Sequence, residues 1–227
     1  MYIGGVQQFS TVDYPGYVVA GVFTIGCNMR CGYCHNPELV LPEQYAGSIP
    51  AHEVLAFLKT RQGLLDGVAI SGGEPTMQPE LPQFIRKVKA MGFRVKLDTN
   101  GTSPGVLRQL LAEHLVDFIA MDIKGPLDKY VAIAARPVNL EAIQESIALI
   151  KTIDHEFRTT IVDSQLTPDD FESIGQLVQG AQRFALQAFQ PGRTVSPAFV
   201  AAKSFTTDAM EQARRIMTKY VAECVVH

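Results

Sequence analysis

The sequence predicts an α/β fold in which the strands of a parallel sheet are joined by crossover helices. Apolar, β-branched runs typical of buried strands alternate with segments of helical period, six times along the chain. Polar and glycine-rich motifs follow the ends of these runs, which is where the ligand sites of α/β barrels gather. A barrel and a flat doubly wound sheet share this alternation, so the pattern alone leaves both open.

The predicted strands are apolar along most of their length, which is typical of a sheet covered on both faces. We expect strands at residues 17–26, 66–71, 93–99, 116–123, 156–162 and 183–189. Helices are expected at about 50–62, 79–91, 104–114, 139–153, 168–180 and 206–222, with prolines near several starts and glycines at several ends. These elements predict one domain over residues 1–227, with a hairpin or flap (1–16), six strand–helix units (17–190) and a C-terminal helical segment (191–227).

Composition limits the classes of function. A chain of 227 residues suits one sizeable domain, and its net charge of −3 without a basic run disfavours a nucleic-acid partner. No apolar run approaches the roughly 20 residues that cross a bilayer, and the first residues do not have the pattern of a signal peptide. We therefore expect a cytoplasmic protein without a membrane partner, in which clustered cysteines indicate metal or redox chemistry.

Three of the four cysteines lie close together in "CNMRCGYC", with the spacing Cys-x3-Cys-x2-Cys at Cys27, Cys31 and Cys34. Soft thiolates select zinc, copper(I) or iron–sulfur clusters. Three thiolates around a four-iron cluster leave one iron with an open coordination position for a substrate or cofactor. Structural zinc would need a fourth ligand, from His35 or from the distant Cys224, which is better explained as a small buried residue. Buried core cysteines are the remaining alternative.

The motif "SGGEP" follows the second predicted strand. Gly72 and Gly73 can present bare backbone to a ligand, and Glu74 adds an acceptor that suits an ammonium group. A simple strand-to-helix turn explains the motif equally well.

Charged residues lie at the ends of later strands: Asp98 in "KLDTNG", Asp122 and Lys124 in "AMDIK", and Arg158 in "EFRTT". Charges in apolar strands are costly to bury unless they are paired or bind an ion. A salt bridge between Lys124 and an aspartate, and an outward-facing Arg158, are the structural alternatives to a ligand site. An inward-facing Arg158 would suit a carboxylate.

Taken together, these motifs resemble the radical S-adenosylmethionine (SAM) enzymes. The cysteine spacing, with Tyr33 before the last cysteine, is similar to the signature of that superfamily. The segments "GGVQQFSTVDYPG", "CHNPEL", "ISGGEPTMQ", "VKLDTNG", "AMDIKGP" and "EFRTT" resemble the activating enzymes of glycyl radical enzymes, above all those of anaerobic ribonucleoside-triphosphate reductase. The resemblance implies a partial (β/α)6 TIM-like barrel of the radical SAM type.

The resemblance also implies cofactors and their binding residues. Cys27, Cys31 and Cys34 would hold a [4Fe–4S] cluster. Asp98 and Asp122, together with nearby backbone carbonyls, would bind a monovalent cation, Na⁺ or K⁺. The residues expected to bind SAM are Tyr33, Gly72, Gly73, Glu74, Asp98, Asn100, Lys124, Arg158 and Gln187.

The implied reaction is reductive cleavage of SAM to a 5′-deoxyadenosyl radical, which takes a hydrogen from a glycine of a partner enzyme. The expected partner is an anaerobic ribonucleotide reductase or another glycyl radical enzyme, the expected electron donor is flavodoxin or ferredoxin, and no side-chain acid or base is required. The chain departs from pyruvate formate-lyase activases at their ribose-binding histidine, where it has Gln187 and Gln190. A radical SAM enzyme acting on a small molecule or peptide, and a zinc-stabilised binding protein, are the alternatives.

Overall fold

The computed structural model describes all 227 residues, and its eight strands form one sheet in chain order, from β1 to β8. The strands are β1 (Ile3–Ser10), β2 (Val19–Thr24), β3 (Gly67–Gly72), β4 (Arg94–Thr99), β5 (Phe118–Asp122), β6 (His155–Ile161), β7 (Arg183–Ala188) and β8 (Glu223–Val226). Strand β1 pairs antiparallel with β2, whereas the pairs β2–β3, β3–β4, β6–β7 and β7–β8 are parallel. Because β1 and β8 are the two edges, the sheet is not closed, and the α/β prediction with a partial barrel is confirmed.

All six predicted helices are present, and two short ones were not predicted. The helices are α1 (Pro37–Val40), α2 (Ala51–Lys59), α3 (Leu81–Ala90), α4 (Pro104–Ala112), α5 (Leu127–Ala134), α6 (Leu140–Ile150), α7 (Asp170–Leu177) and α8 (Thr207–Met217). The unpredicted helices are α1 and α5. No helix combines the length and the apolar character that crossing a membrane would require.

The two ends of the chain add strands to the predicted six. Strand β1 lies in the segment expected to be a hairpin or flap, and it pairs antiparallel with β2, which lies outside that segment. Strand β8 lies in the segment expected to be helical, after α8. Its four residues are too few for a periodic signal, and β8 is defined by its parallel pairing with β7.

Contacts divide the chain into two compact units. The N-terminal unit consists of residues Met1–Asn28, Glu38–Thr99 and Ser103–Ile119, and the C-terminal unit consists of Met29–Pro37, Asn100–Thr102 and Ala120–His227. The single-domain organisation drawn from the sequence stays a prediction.

In the N-terminal unit, neighbouring rows of the sheet differ in chemistry. One row pairs Val22, Ile70 and Leu97, whose side chains are fully buried. The adjacent row pairs Gly21, Ala69 and Lys96 and therefore faces the other way. The first row is thus apolar, whereas the adjacent row holds two small residues and the charged Lys96.

The C-terminal unit packs α7 and α8 together, and α8 also contacts β7 and β8. Phe157 of β6 and Phe184 of β7 are fully buried within this unit. Gly175 of α7 allows a close approach, because a Cβ atom there would lie 2.2 Å from the ring of Tyr220. This packing supports the strands that carry several of the predicted site residues.

Candidate functional site

In the N-terminal unit, the "SGGEP" loop is bonded to the backbone that leads into Cys27. The Gly73 N–H donates to Thr24 O at 2.8 Å, and the Glu74 N–H donates to Gly26 O at 2.7 Å. Since Gly26 immediately precedes Cys27, the loop after β3 sets the path of the chain into the first cysteine.

Both glycines of this loop are required by close packing. A Cβ atom on Gly73 would lie 2.1 Å from Gly26 O. A Cβ atom on Gly72 would lie 2.3 Å from Thr24 N, and Gly72 also has a φ of +112°, which side chains rarely adopt. Close packing therefore explains why both positions are glycine, and the contact of these glycines with a ligand stays a prediction.

Glu74 is almost completely buried, with 1% of its surface exposed. Its Oε1 accepts hydrogen bonds from the Thr76 N–H at 3.1 Å, from the Thr76 hydroxyl at 2.5 Å and from the Thr99 hydroxyl at 2.8 Å. These bonds fix the carboxylate between the loop after β3 and the end of β4. Sequence reasoning identified neither threonine: Thr99 lies far from Glu74 along the chain, whereas Thr76 follows Glu74 by two residues.

Asp98 of β4 has a basic partner that the sequence reasoning missed. Lys96 Nζ lies 2.5 Å from Asp98 Oδ1, and the two side chains are 5% and 15% exposed. The spacing of two residues could have indicated the pair, because residues i and i+2 of a strand share a face.

In the C-terminal unit, three predicted residues come together around one carboxylate. Arg158 Nε donates to Asp122 Oδ1 at 2.5 Å, and Lys124 Nζ donates to Asp122 Oδ2 at 3.0 Å. The structural alternative for Lys124, a salt bridge to an aspartate, is therefore observed. Arg158 is paired rather than solvated.

The charges of this cluster reinforce one another. Burial opposes ionisation of Asp122, but the positive charges of Arg158 and Lys124 outweigh it and hold the pKa of Asp122 well below its usual value. Burial likewise opposes the charge on Lys124, yet the negative charge of Asp122 raises the pKa of Lys124 well above its usual value. The cluster is therefore fully charged at neutral pH.

Cys31, Tyr33 and Cys34 lie on a turn of the same unit, in which the Cys34 N–H donates to Cys31 O at 3.0 Å. Lys124 Nζ lies 6.0 Å from the centre of the Tyr33 ring, at the limit of a cation–π contact. Burial raises the pKa of the Cys31 thiol, against the opposing charge of Lys124, and burial also raises the pKa of Cys34. Metal binding at these thiols must therefore displace their protons.

A segment that follows β7, residues 193–199, contacts the cysteine loop, and we call it the strap. The Val195 N–H donates to Cys34 O and the Ser196 N–H donates to Gly32 O, both at 2.9 Å. A Cβ atom on Gly32 would lie 2.4 Å from the Phe199 ring, so that glycine allows the ring to pack closely. Sequence reasoning did not identify the strap, because these contacts join distant parts of the chain.

His35, the nearby alternative zinc ligand, also meets this part of the chain. Its ring stacks on Phe189 with centroids 5.1 Å apart, and its Nδ1 lies 3.1 Å from Arg193 O. Cys224, the other alternative ligand, is buried in β8, and burial raises the pKa of its thiol to about 11.

The last two predicted residues also lie in the C-terminal unit. Asn100 is buried, and its Oδ1 accepts hydrogen bonds from the Thr102 N–H and hydroxyl, at 3.1 and 2.7 Å. Gln187 of β7 is half-buried and pairs in register with Thr160 of β6. Gln190, which follows β7, is exposed. The roles of Asn100 and Gln187 in binding a ligand stay predictions.

The chemistry of the cysteines fits an iron–sulfur cluster. Cys27, Cys31 and Cys34 form no disulfide and lie within one short stretch of chain, and soft sulfur ligands suit iron–sulfur clusters. No three His, Cys, Asp or Glu side chains are grouped closely enough to hold a single metal ion. Thiolates of a four-iron cluster each bind a different iron, so their assignment here rests on spacing and ligand chemistry.

A protein-family model identifies the superfamily of this chain. The model of the radical SAM superfamily matches residues 22–178. The chain belongs to the radical SAM superfamily. Membership implies a [4Fe–4S] cluster and SAM as cofactors, and it confirms the resemblance drawn from the cysteine motif.

Relatives within the superfamily include activating enzymes of glycyl radical enzymes. A Methanocaldococcus jannaschii protein with the provisional name of glycyl-radical enzyme activating enzyme is 32% identical over 236 residues, covering 99% of this chain and 95% of its own length. The pyruvate formate-lyase-activating enzyme of Clostridium pasteurianum is 32% identical over 176 residues, covering 72% of this chain and 71% of its own.

A solved structure supports the radical SAM fold. SuiB of Streptococcus suis bound to S-adenosylmethionine superposes with a TM-score of 0.68 at 12% identity, over 89% of this chain and 48% of SuiB. At that identity the likeness concerns the fold alone.

Proposed function

We propose that this chain activates a glycyl radical enzyme, and that its partner is an anaerobic ribonucleotide reductase. The observation that supports this most is the similarity to an activating enzyme over 99% of the chain, together with the three thiols of the cysteine motif. The choice of a ribonucleotide reductase rests on the resemblance of the motifs. We further propose that flavodoxin or ferredoxin donates the electron, and that the reaction takes place in the cytoplasm.

The chain would hold both cofactors with residues already described. Cys27, Cys31 and Cys34 would bind three irons of the cluster and leave one position for SAM. When bound, the cluster and SAM supply reductive cleavage to a 5′-deoxyadenosyl radical that takes a hydrogen from a glycine of the partner. The protein itself contributes position and charge.

Binding of the methionine end of SAM would use fixed polar groups. Backbone carbonyls of Gly72 and Gly73 and the carboxylate of Glu74 would accept hydrogen bonds from the amino group. The bonds from Thr76 and Thr99 already hold the Glu74 carboxylate in place. Asp98 would bind the same amino group.

The carboxylate of SAM would be bound by Arg158. A guanidinium has five N–H donors in a rigid fork, so it can bind Asp122 and a cofactor carboxylate together. Lys124 would supply a second positive charge beside it. Tyr33, Asn100 and Gln187 would contact the rest of the cofactor, with Gln187 at the ribose.

The decisive experiment mixes the reconstituted, reduced protein with SAM and candidate partners without oxygen, and records electron paramagnetic resonance. We expect a glycine-centred doublet with an anaerobic ribonucleotide reductase. SAM cleavage without a doublet in any glycyl radical enzyme would contradict activation and favour a small-molecule or peptide substrate. Colourless protein with one zinc per chain would instead favour the zinc-stabilised binding protein.

A further inference from the structure

The two aspartates expected to bind Na⁺ or K⁺ each have basic partners from this chain. Asp98 is paired with Lys96 at 2.5 Å, and Asp122 lies between Arg158 and Lys124. A hard cation binds through oxygen ligands, and here the negative charges of both carboxylates are already balanced by lysine and arginine side chains. A separate monovalent cation would therefore have to compete with these side chains for the two aspartates.

Lys96 occupies a position that is built for a buried ammonium. It precedes Asp98 by two residues on β4, so both side chains lie on the same face of the sheet. Its neighbour in the same row, Ala69 of β3, has only a methyl side chain. The Lys96 side chain is only 5% exposed, and a buried charge is tolerated where it is paired.

Apolar side chains lie near the pair of Lys96 and Asp98. Ala69 packs with Tyr14 and Val19 in one hydrophobic cluster, so the row beside Lys96 borders apolar side chains. The short bond to Asp98 is charge-assisted, which makes it stronger than a neutral hydrogen bond.

We propose that Lys96 is the built-in cation of the SAM site. Its ammonium supplies to Asp98 the single positive charge that the resemblance assigns to Na⁺ or K⁺, and it donates up to three hydrogen bonds without being able to dissociate. Lys96 acts through Asp98 and is therefore a positioning residue. The proposal rests on the proposed function, since Asp98 is expected to bind the amino group of SAM.

The first test is the dissociation constant of SAM for the reconstituted wild-type protein in choline chloride, NaCl and KCl at equal ionic strength. Choline is too large and too poorly coordinating to replace a bound ion. We expect the three constants to agree within about twofold. Tightening by about tenfold or more in NaCl or KCl would overturn the proposal.

The second test removes the charge with Lys96→Met, which keeps an unbranched apolar stem. In choline chloride we expect SAM binding to weaken by about tenfold or more, because a charge-assisted bond is lost. Na⁺ or K⁺ should restore part of the affinity by binding Asp98. Unchanged binding in choline, or a loss that neither ion reduces, would contradict the proposal.

The matched control is Lys89→Met. Lys89 pairs with Asp117 at 2.7 Å in the same unit but is 28% exposed. We expect this variant to bind SAM like the wild type in all three salts, which separates the site at Asp98 from general effects of losing a Lys–Asp pair.

Thermal unfolding of the cluster-free protein in the same salts gives a readout that does not depend on activity. We expect the unfolding midpoint of the wild type to be the same in all three salts. The midpoint of Lys96→Met should be lower than that of the wild type in choline chloride. It should rise in NaCl or KCl, whereas the midpoint of Lys89→Met should not. A wild-type midpoint raised by Na⁺ or K⁺ would overturn the proposal, even if Lys96→Met fails to fold. Absence of SAM binding in every salt would contradict the proposed function instead, and the unfolding data would still decide the role of Lys96.

Discussion

Replacing Gly73 with alanine tests the contact between the loop after β3 and the cysteine loop. The new Cβ atom would lie 2.1 Å from Gly26 O and 2.6 Å from Gly26 C, both of them backbone atoms. Backbone cannot move aside as the end of a flexible side chain can. We therefore expect the backbone before Cys27 to be displaced and the bond from Glu74 N–H to Gly26 O, now 2.7 Å, to be lost or lengthened.

The cost follows from these two effects. Overpacking of a close contact costs about 1–3 kcal/mol, and the net loss of one hydrogen bond costs about 1 kcal/mol. We expect Gly73→Ala to lower the free energy of unfolding by about 2–4 kcal/mol, out of the total of about 5–15 kcal/mol typical of a domain. For a chain of this size, the unfolding midpoint should fall by about 4–16 °C.

The assays are thermal unfolding of the cluster-free protein and iron content after reconstitution. We expect a folded variant with a lowered midpoint and less iron per chain. The matched control is Gly105→Ala in α4, where a Cβ atom would meet no heavy atom within 4 Å. That control should equal the wild type or gain about 0.4–1 kcal/mol. A Gly73→Ala protein with the wild-type midpoint and a full complement of iron would refute the reasoning.

Three further predictions concern the cysteines, the strap and a buried histidine. Cys31→Ala should abolish cluster assembly, measured by iron and sulfide content, whereas Cys224→Ala should assemble the full cluster. Phe199→Ala should remove the ring packed against Gly32 and increase the rate at which thiols of the cluster-free protein are alkylated, measured by mass spectrometry. Burial lowers the pKa of His155, so stability should fall as the pH drops below about 6.5, because the unfolded chain takes up a proton that the folded protein resists. Denaturation at pH 7.5, 6.5 and 5.5 measures this, and His155→Gln should show a smaller change across that interval.

Specific outcomes would contradict each of these predictions. A full cluster in Cys31→Ala would remove that residue from the ligand set. Alkylation of Phe199→Ala at the wild-type rate would show that the strap does not shield the cysteine loop. Equal pH dependence of stability in the wild type and His155→Gln would contradict the role given to His155. The hydrogen bonds of the His155 ring also support a neutral ring, because Nε2 accepts the Gln182 N–H at 3.2 Å while Nδ1 lies 2.7 Å from Ile153 O.

The sequence by itself determined the secondary structure of the middle of the chain and the class of the enzyme. Strands β2–β7 and the six predicted helices follow from apolar runs and helical periodicity, which are local properties of the chain. The cysteine motif is local too, because one short loop carries all three thiols. A pattern within a few residues is enough for both inferences.

The tertiary structure decided which polar groups are partners. The bond from Thr99 to Glu74, the contacts of the strap with Cys34, and the pairing of β8 with β7 join segments that lie far apart along the chain. Lys96 is the instructive case: the sequence places it near Asp98, but only the packed sheet buries it beside Ala69 of β3. Local pattern specifies what each segment can form, whereas the burial and pairing of a charge depend on the distant segments that exclude water around it.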